Sequence, residues 1–194
     1  MSSYLKPALV LFALLTLLTG VVYPLLVTAL AQGFFPFQAN GSLLKNAEGQ
    51  IIGSELIGQP FSDTRYFWGR PSATSPHPYN AAASSGSNLG PTNPALITTV
   101  EARIKALHEA DPEKHAPIPI DLVTASASGL DPHISIAAAE YQIPRIAKTR
   151  HIDPAKLRNL VAKHTESRQL QIFGEPRVNV LKLNLSLAGL GGKD

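Results

Sequence analysis

From Pro7 to Ala31 the chain reads "PALVLFALLTLLTGVVYPLLVTALA", 25 residues without a charge. Nothing else in the sequence restricts the fold as strongly. About 20 apolar residues cross the hydrocarbon layer of a bilayer as a helix. In that layer only a helix satisfies its backbone groups within one segment. Gly20 and Pro24 would weaken a soluble helix, but spanning helices tolerate both. The competing reading is a cleaved secretory signal, whose apolar core is about 7–15 residues. Ala29-Leu30-Ala31 looks like a cleavage site, yet the run exceeds that length, and a retained anchor is expected.

The flanks set its direction. Lys6 and the amino terminus precede the span with no acid, and the first charge after it is Lys45. The positive-inside rule then puts residues 1–6 in the cytoplasm, the helix at 7–31, and residues 32–194 outside. Phe34, Phe35 and Phe37 suit the membrane boundary, where aromatic side chains collect. Within the span, Thr16, Thr19, Gly20 and Tyr23 fall near one helical stripe. Small and polar residues let helices approach and hydrogen-bond in lipid, so this stripe is expected to meet a partner helix. The anchor also explains why only 16% of residues are charged, against roughly 25% in an average soluble chain.

The remainder reads as one α+β domain. It has no cysteine, which excludes a disulfide scaffold and thiolate chemistry. A net charge of +3 is mild and does not point to nucleic acid. "GQIIGSELIGQPF" is a short strand or hairpin. Residues 59–93 form a long irregular loop rich in Pro, Ser, Gly and Asn. That loop nevertheless holds Phe61, Tyr66, Phe67, Tyr79 and Trp68, the sole tryptophan. Tyr66, Phe67, Trp68 and Arg70 are residue types enriched at interface cores; they are expected either to pack on their own domain or to meet a partner.

Helix signals follow. Asn93-Pro94 and Asp153-Pro154 each pair an N-cap with a proline at the first helical position. Leu96, Val100, Ile104 and Leu107 repeat at helical spacing behind the first, and Leu157, Leu160, Val161 and His164 behind the second. Asp131-Pro132 has the same form and predicts a helix over Pro132–Tyr141. "IPIDLVTAS" is a strand candidate. "RVNVLKLNLSL" alternates as a strand, with a bulge or change of structure at the slip between Val180 and Leu181.

"TASASGLDPHIS", residues 124–135, gathers Ser126, Asp131 and His133, the types of nucleophilic catalysis. A membrane-anchored hydrolase is therefore an alternative to be tested. Such a site is defined by spatial geometry and an oxyanion hole, and no G-x-S-x-G elbow occurs. The six histidines show no tight ligand pair, so no metal site is expected. Residues 145–168 carry seven Lys or Arg against Asp153 and Glu166; this is a solvated helical face or a patch for an acidic partner.

Taken in order, "TGVVYPLLVT", "GSELIGQPF", "YFWGRPSAT", "SSGSNLGPTNP", "DLVTASASGLDPHIS", "YQIPRIAKTR" and "GEPRVNVLKLNL" run through nearly the whole chain. In these stretches the sequence resembles the C subunit of the bacterial Kdp potassium-transporting ATPase, the KdpC family. The resemblance implies a noncatalytic, single-span subunit of an inner-membrane complex. Its partners would be an ATP-hydrolysing P-type subunit, a potassium-binding channel-like subunit, a small accessory membrane subunit and the lipid bilayer. It also implies an assembly role and a "catalytic chaperone" effect on the ATP affinity of the P-type subunit. ATP would be met through that subunit, and Gln142 is the one glutamine offered for a nucleotide link. Two positions depart from the family: Ser84-Ser85-Gly86-Ser87 where Ser-Gly-Gly-Ser is common, and Ile136 where proline is common.

Overall fold

The computed structural model describes residues 2–46 and 48–190. It divides into two units, Met1–Leu44 and Lys45–Asp194. The first is a near-continuous helix. α1 (Ser2–Leu17) and α2 (Tyr23–Phe34) are joined by a single π-turn, Leu18–Val22, and a short α3 (Pro36–Ala39) follows. Tyr4–Phe34 is long and apolar enough to cross a membrane, and none of it is buried. It extends past both ends expected from the uncharged run.

Pro24 accounts for the π-turn. Proline has no N–H, and its ring collides with the carbonyl four residues back, here that of Gly20. Widening the turn relieves the collision: the Tyr23 amide bonds to the Leu18 carbonyl, five residues back. Thr19 Oγ1 folds onto the Leu15 carbonyl at 2.8 Å.

The second unit is a mixed helix and sheet domain. β1 (Leu43–Lys45) and β2 (Ile51–Ser54) make a two-stranded sheet. α4 (Pro94–Ala110) starts at Asn93, whose side chain accepts from the Ala95 amide. α6 (Pro154–Lys163) starts at Asp153 in the same manner. Both caps are as the sequence predicts. A three-stranded sheet follows the order β3-β5-β4, with β3 at His133–Ser135, β4 at Thr165–Glu166 and β5 at Arg177–Asn179. Both pairings are antiparallel, with Ile134 opposite Val178 and Glu166 opposite Arg177.

α5 (Ile136–Arg150) is the central helix. Ala138, Ala139, Ile143 and Ile146 meet Leu157 and Val161 of α6, Val178 of β5, and Leu183 and Leu187 of α7 (Val180–Leu190). Phe67, from the long loop, is enclosed in this core with no exposed surface.

Three sequence expectations are corrected. The helix after Asp131-Pro132 does not begin there: residues 133–135 are strand, and Ser135 caps α5, its hydroxyl accepting from the Ala138 amide at 3.0 Å. Pro132 instead offers its carbonyl to the Val180 amide. "IPIDLVTAS" is no strand; Ile120–Leu122 is a 3-10 turn, and the Asp121 carboxylate accepts from the Ser135 amide and hydroxyl. "RVNVLKLNLSL" is strand only to Asn179 and helix from Val180. The change of structure falls beside the slip in alternation, and Asn179 Oδ1 accepts from the Lys182 amide across the first helical turn.

Candidate functional site

The long loop is held to the domain by side chains. Asn184 on α7 accepts from the Phe67 amide and donates to the Phe67 carbonyl, each at 2.9 Å. Gln142 on α5 does the same for Trp68, accepting from its amide at 2.7 Å and donating to its carbonyl at 3.1 Å. Arg145 donates to the carbonyls of Thr64 and Tyr66 and lies over the Trp68 ring, 4.6 Å from its centroid. Two amides and a guanidinium thus bind an irregular backbone much as a neighbouring strand would. Loops seldom run inside because their backbone groups need partners; here three side chains supply them.

Gln142 has no free group for a nucleotide. Its Oε1 also accepts from Arg145 at 2.7 Å, and its Nε2 also reaches the Ala138 carbonyl. An amide has two donors and two acceptor positions, and all are occupied. The residue is 1% exposed. Arg145, first of the basic run, is likewise inside, and burial lowers its pKa to about 10. It stays charged at neutral pH. Elsewhere in that run Lys148 pairs with Glu113, Arg158 with Glu140 and Arg168 with Glu175.

The serines of residues 124–135 are engaged in holding two loops together. Ser126 is buried, its amide donates to the Pro71 carbonyl, and its hydroxyl lies 3.1 Å from that of Ser128. Ser84 donates to the Ser128 carbonyl, and Ser72 to the Gly129 carbonyl. Gly129 has φ +68°, and a Cβ there would stand 2.4 Å from Thr74 Cγ2 and 2.8 Å from the Ser85 carbonyl oxygen. The close approach beside Ser85 is made by Gly86 against Ala127, while positive φ falls on Asn88. Ser85 in place of glycine is therefore accommodated.

Asp131 lines a pocket with Ser126 and Ser128, but its hydrogen-bonded and ionic partners are Arg70 and His133. A cleft of about 530 Å³ is lined by Arg70, Asp121, Asp131, His133, Glu175 and Arg177, among others. Along it run Arg70 and Asp131 at 3.2 Å, Asp131 and His133 Nδ1 at 3.5 Å, His133 Nε2 and Glu166 at 3.6 Å, and Glu166 and Arg177 at 3.2 Å. Asp131 has Arg70 as its cationic neighbour, and Glu166 has Arg177. Burial pushes Asp131 up, but hydrogen bonds from His133 and Arg70 outweigh it and hold the carboxyl below its ordinary range. Its Oδ1 also accepts from the His133 amide. A carboxylate so engaged is a weak base. The arrangement ties β3, β4 and β5 to the loop at Arg70.

Of the residues expected at a partner surface, Tyr66, Trp68 and Arg70 are partly exposed, Phe67 is inside, and Thr16, Thr19, Gly20 and Tyr23 are exposed on the span. The π-turn carries Thr19 and Gly20, so Tyr23 does not keep the register of a regular helix with them. Glu175 and Arg177, which line the cleft, and Glu166, which pairs with His133 and Arg177, were not anticipated as site residues, because they come from separate segments with no shared spacing.

Comparison with known proteins agrees in one direction. A family described as "KdpC: K+-transporting ATPase, c chain" matches residues 5–189. A protein of Methylococcus capsulatus named "Potassium-transporting ATPase KdpC subunit" is 60% identical over 98% of this chain and 100% of its own length. Proteins of the same name from Sorangium cellulosum and Dechloromonas aromatica are each 62% identical, over 97% and 96% of this chain and 99% and 97% of theirs.

Proposed function

This chain belongs to the KdpC family, the c chains of K+-transporting ATPases, and from that premise we propose that it is a noncatalytic assembly subunit of such a transporter. It is held in the bacterial inner membrane by one span, with residues 1–6 cytoplasmic and the α+β domain periplasmic. Its partners are the ATP-hydrolysing subunit, the potassium-binding subunit and a small accessory membrane subunit.

The observation that carries this reading is the π-turn at Leu18–Val22. Pro24 has no N–H to offer the Gly20 carbonyl, and Thr19 and Gly20 lie within the widened turn on an uncovered surface. A neighbouring helix is one of the ways a backbone group freed by proline is satisfied in lipid, and a glycine lets that helix come close. A plain tether would need only apolar bulk. π-turns within α-helices are also frequent at functional sites.

ATP lies on the cytoplasmic side in this topology, where only residues 1–6 remain. Any rise in ATP affinity therefore reaches the P-type subunit as a coupling between sites, passed through membrane contacts rather than by Gln142. The test is Gly20→Leu, alongside a polyleucine span, in the tagged full-length chain. Both should insert normally, lose the large subunits on purification, and fail to support growth at low potassium. Normal co-purification and growth with the polyleucine span would reduce the segment to a tether.

A further inference from the structure

The span does not run out into an open loop. Phe35 leaves helical geometry, with φ −135° and ψ 51°, and Pro36 opens the single turn of α3. Gly41 and Ser42 then turn the chain with φ of +87° and +50°. The segment pairs its own backbone. The amides of Phe35, Ala39, Asn40, Gly41 and Ser42 bond to the carbonyls of Ala31, Phe35, Pro36, Gln38 and Phe37. The Asn40 side chain donates to the Pro36 carbonyl at 2.6 Å and to Gln32 Oε1 at 3.2 Å, which ties the turn back to α2.

Three phenylalanines project from this closed turn. Phe34 is 74% exposed, Phe35 61% and Phe37 44%. Phe34 and Phe35 are adjacent, and the helix breaks before Phe37, so no single helical stripe holds all three. A partner helix covers one stripe, ridge into groove. A lipid boundary covers every direction at one depth.

Charge and backbone pairing point to the same surroundings. There is no charged residue between Lys6 and Lys45, so the uncharged chain continues past the helix through the whole turn. A loop in bulk water needs neither that nor amides bonded inward. Irregular backbone at membrane depth has to be paired, and an interfacial segment buries its Phe and Leu at the boundary between headgroups and acyl chains.

Helix length adds a constraint. Tyr4–Phe34 has 31 residues, about 46 Å of helix at about 1.5 Å per residue, against about 30 Å of hydrocarbon. Upright and centred, it would lift Phe34 about 8 Å clear of the hydrocarbon and leave Phe35 and Phe37 at the water edge. A leaning helix or a locally thicker bilayer removes that excess at modest cost.

We infer that residues 32–42 form an interfacial foot, in which Phe34, Phe35 and Phe37 seat at the headgroup boundary of the bilayer that the span crosses. The link between Gln32 and Asn40 keeps the foot closed, and the over-long helix accommodates to hold it at that depth. This rests on the membrane reading above and adds a lipid contact that fixes where the chain leaves the bilayer.

The chain has no cysteine, so Ala39→Cys puts one bimane label on an exposed position of the foot in the full-length protein. In phosphatidylcholine vesicles, lipids carrying a nitroxide near the headgroup should quench it, and aqueous iodide should not. Adding Phe34→Ser, Phe35→Ser and Phe37→Ser should reverse both responses, while the chain still resists carbonate extraction. A label open to iodide and untouched by nitroxide lipid in the otherwise unaltered chain overturns the inference. So does a triple variant whose quenching is unchanged. In the assembled transporter, p-benzoylphenylalanine at position 37 should give phospholipid adducts, and adducts with protein alone overturn the inference as well. That crosslink is read with the rest of the foot intact, so it decides the matter even where the triple variant fails to insert. An unaltered chain that carbonate extracts from the vesicles refutes the membrane reading itself, a failure distinct from a foot that inserts but stays in water.

Discussion

Removing the Gln142 side chain should be among the most disruptive single changes in the domain. In Gln142→Ala the Trp68 amide and carbonyl both lose their partner, and Arg145 loses one acceptor while keeping the Thr64 and Tyr66 carbonyls. The Ala138 carbonyl loses little, because it sits inside α5, where the helix supplies a donor. Two half-buried backbone groups left unpaired cost up to about 1–3 kcal/mol each, and the vacated volume adds to that. A total of about 3–5 kcal/mol follows. At about 2–4 °C per kcal/mol for a domain of this size, the melting temperature should fall by roughly 6–20 °C. Gln142→Glu keeps the acceptor for Trp68 and Arg145 but turns an oxygen toward the Trp68 carbonyl, and should lie between. The sole tryptophan sits in this network, so its fluorescence in detergent-solubilised full-length protein reports the transition directly. A loss below about 1 kcal/mol in Gln142→Ala would refute the structural assignment. Unchanged stability together with a raised ATP requirement of the assembled transporter would return Gln142 to a nucleotide role.

Two further outcomes are expected in the same assay. Gly129→Ala should destabilise the domain by about 2 kcal/mol or more, since it combines a positive φ with contacts of 2.4 and 2.8 Å to Thr74 and Ser85; a neutral result would mean the two serine-rich loops are not held together as described. Burial, and then Lys182, lowers the pKa of His164 below its ordinary 6.5, so the unfolded chain takes up a proton that the folded chain resists. His164 therefore contributes its stability in full above about pH 6.5 and loses it as pH falls below that value through the lower folded-state pKa. His164→Gln should flatten the pH dependence between pH 8 and 5, and an unchanged slope would count against the assignment.

Local chemistry was legible where nothing distant competes with it. The uncharged run determines a helix long and apolar enough to cross a membrane, because in lipid only a helix pairs its backbone within one segment. Asn93-Pro94 and Asp153-Pro154 determine helix starts, because each cap binds an amide two residues away. Asp131-Pro132 makes the same bond, to the His133 amide, yet no helix follows it. There the Pro132 carbonyl is taken by Val180, and the next three residues pair with β5; a long-range ladder overrides a cap contributing about 1 kcal/mol. The aromatic loop shows the same division. Its composition reveals a long irregular segment, but its attachment depends on Gln142, Arg145 and Asn184, which lie between 74 and 117 residues away along the chain in the contacts to Trp68 and Phe67. No periodicity encodes such a pairing. The cleft from Arg70 to Arg177 likewise exists only once β3, β4 and β5 are side by side, because its charges have no common spacing in the sequence and meet only through the register of the sheet.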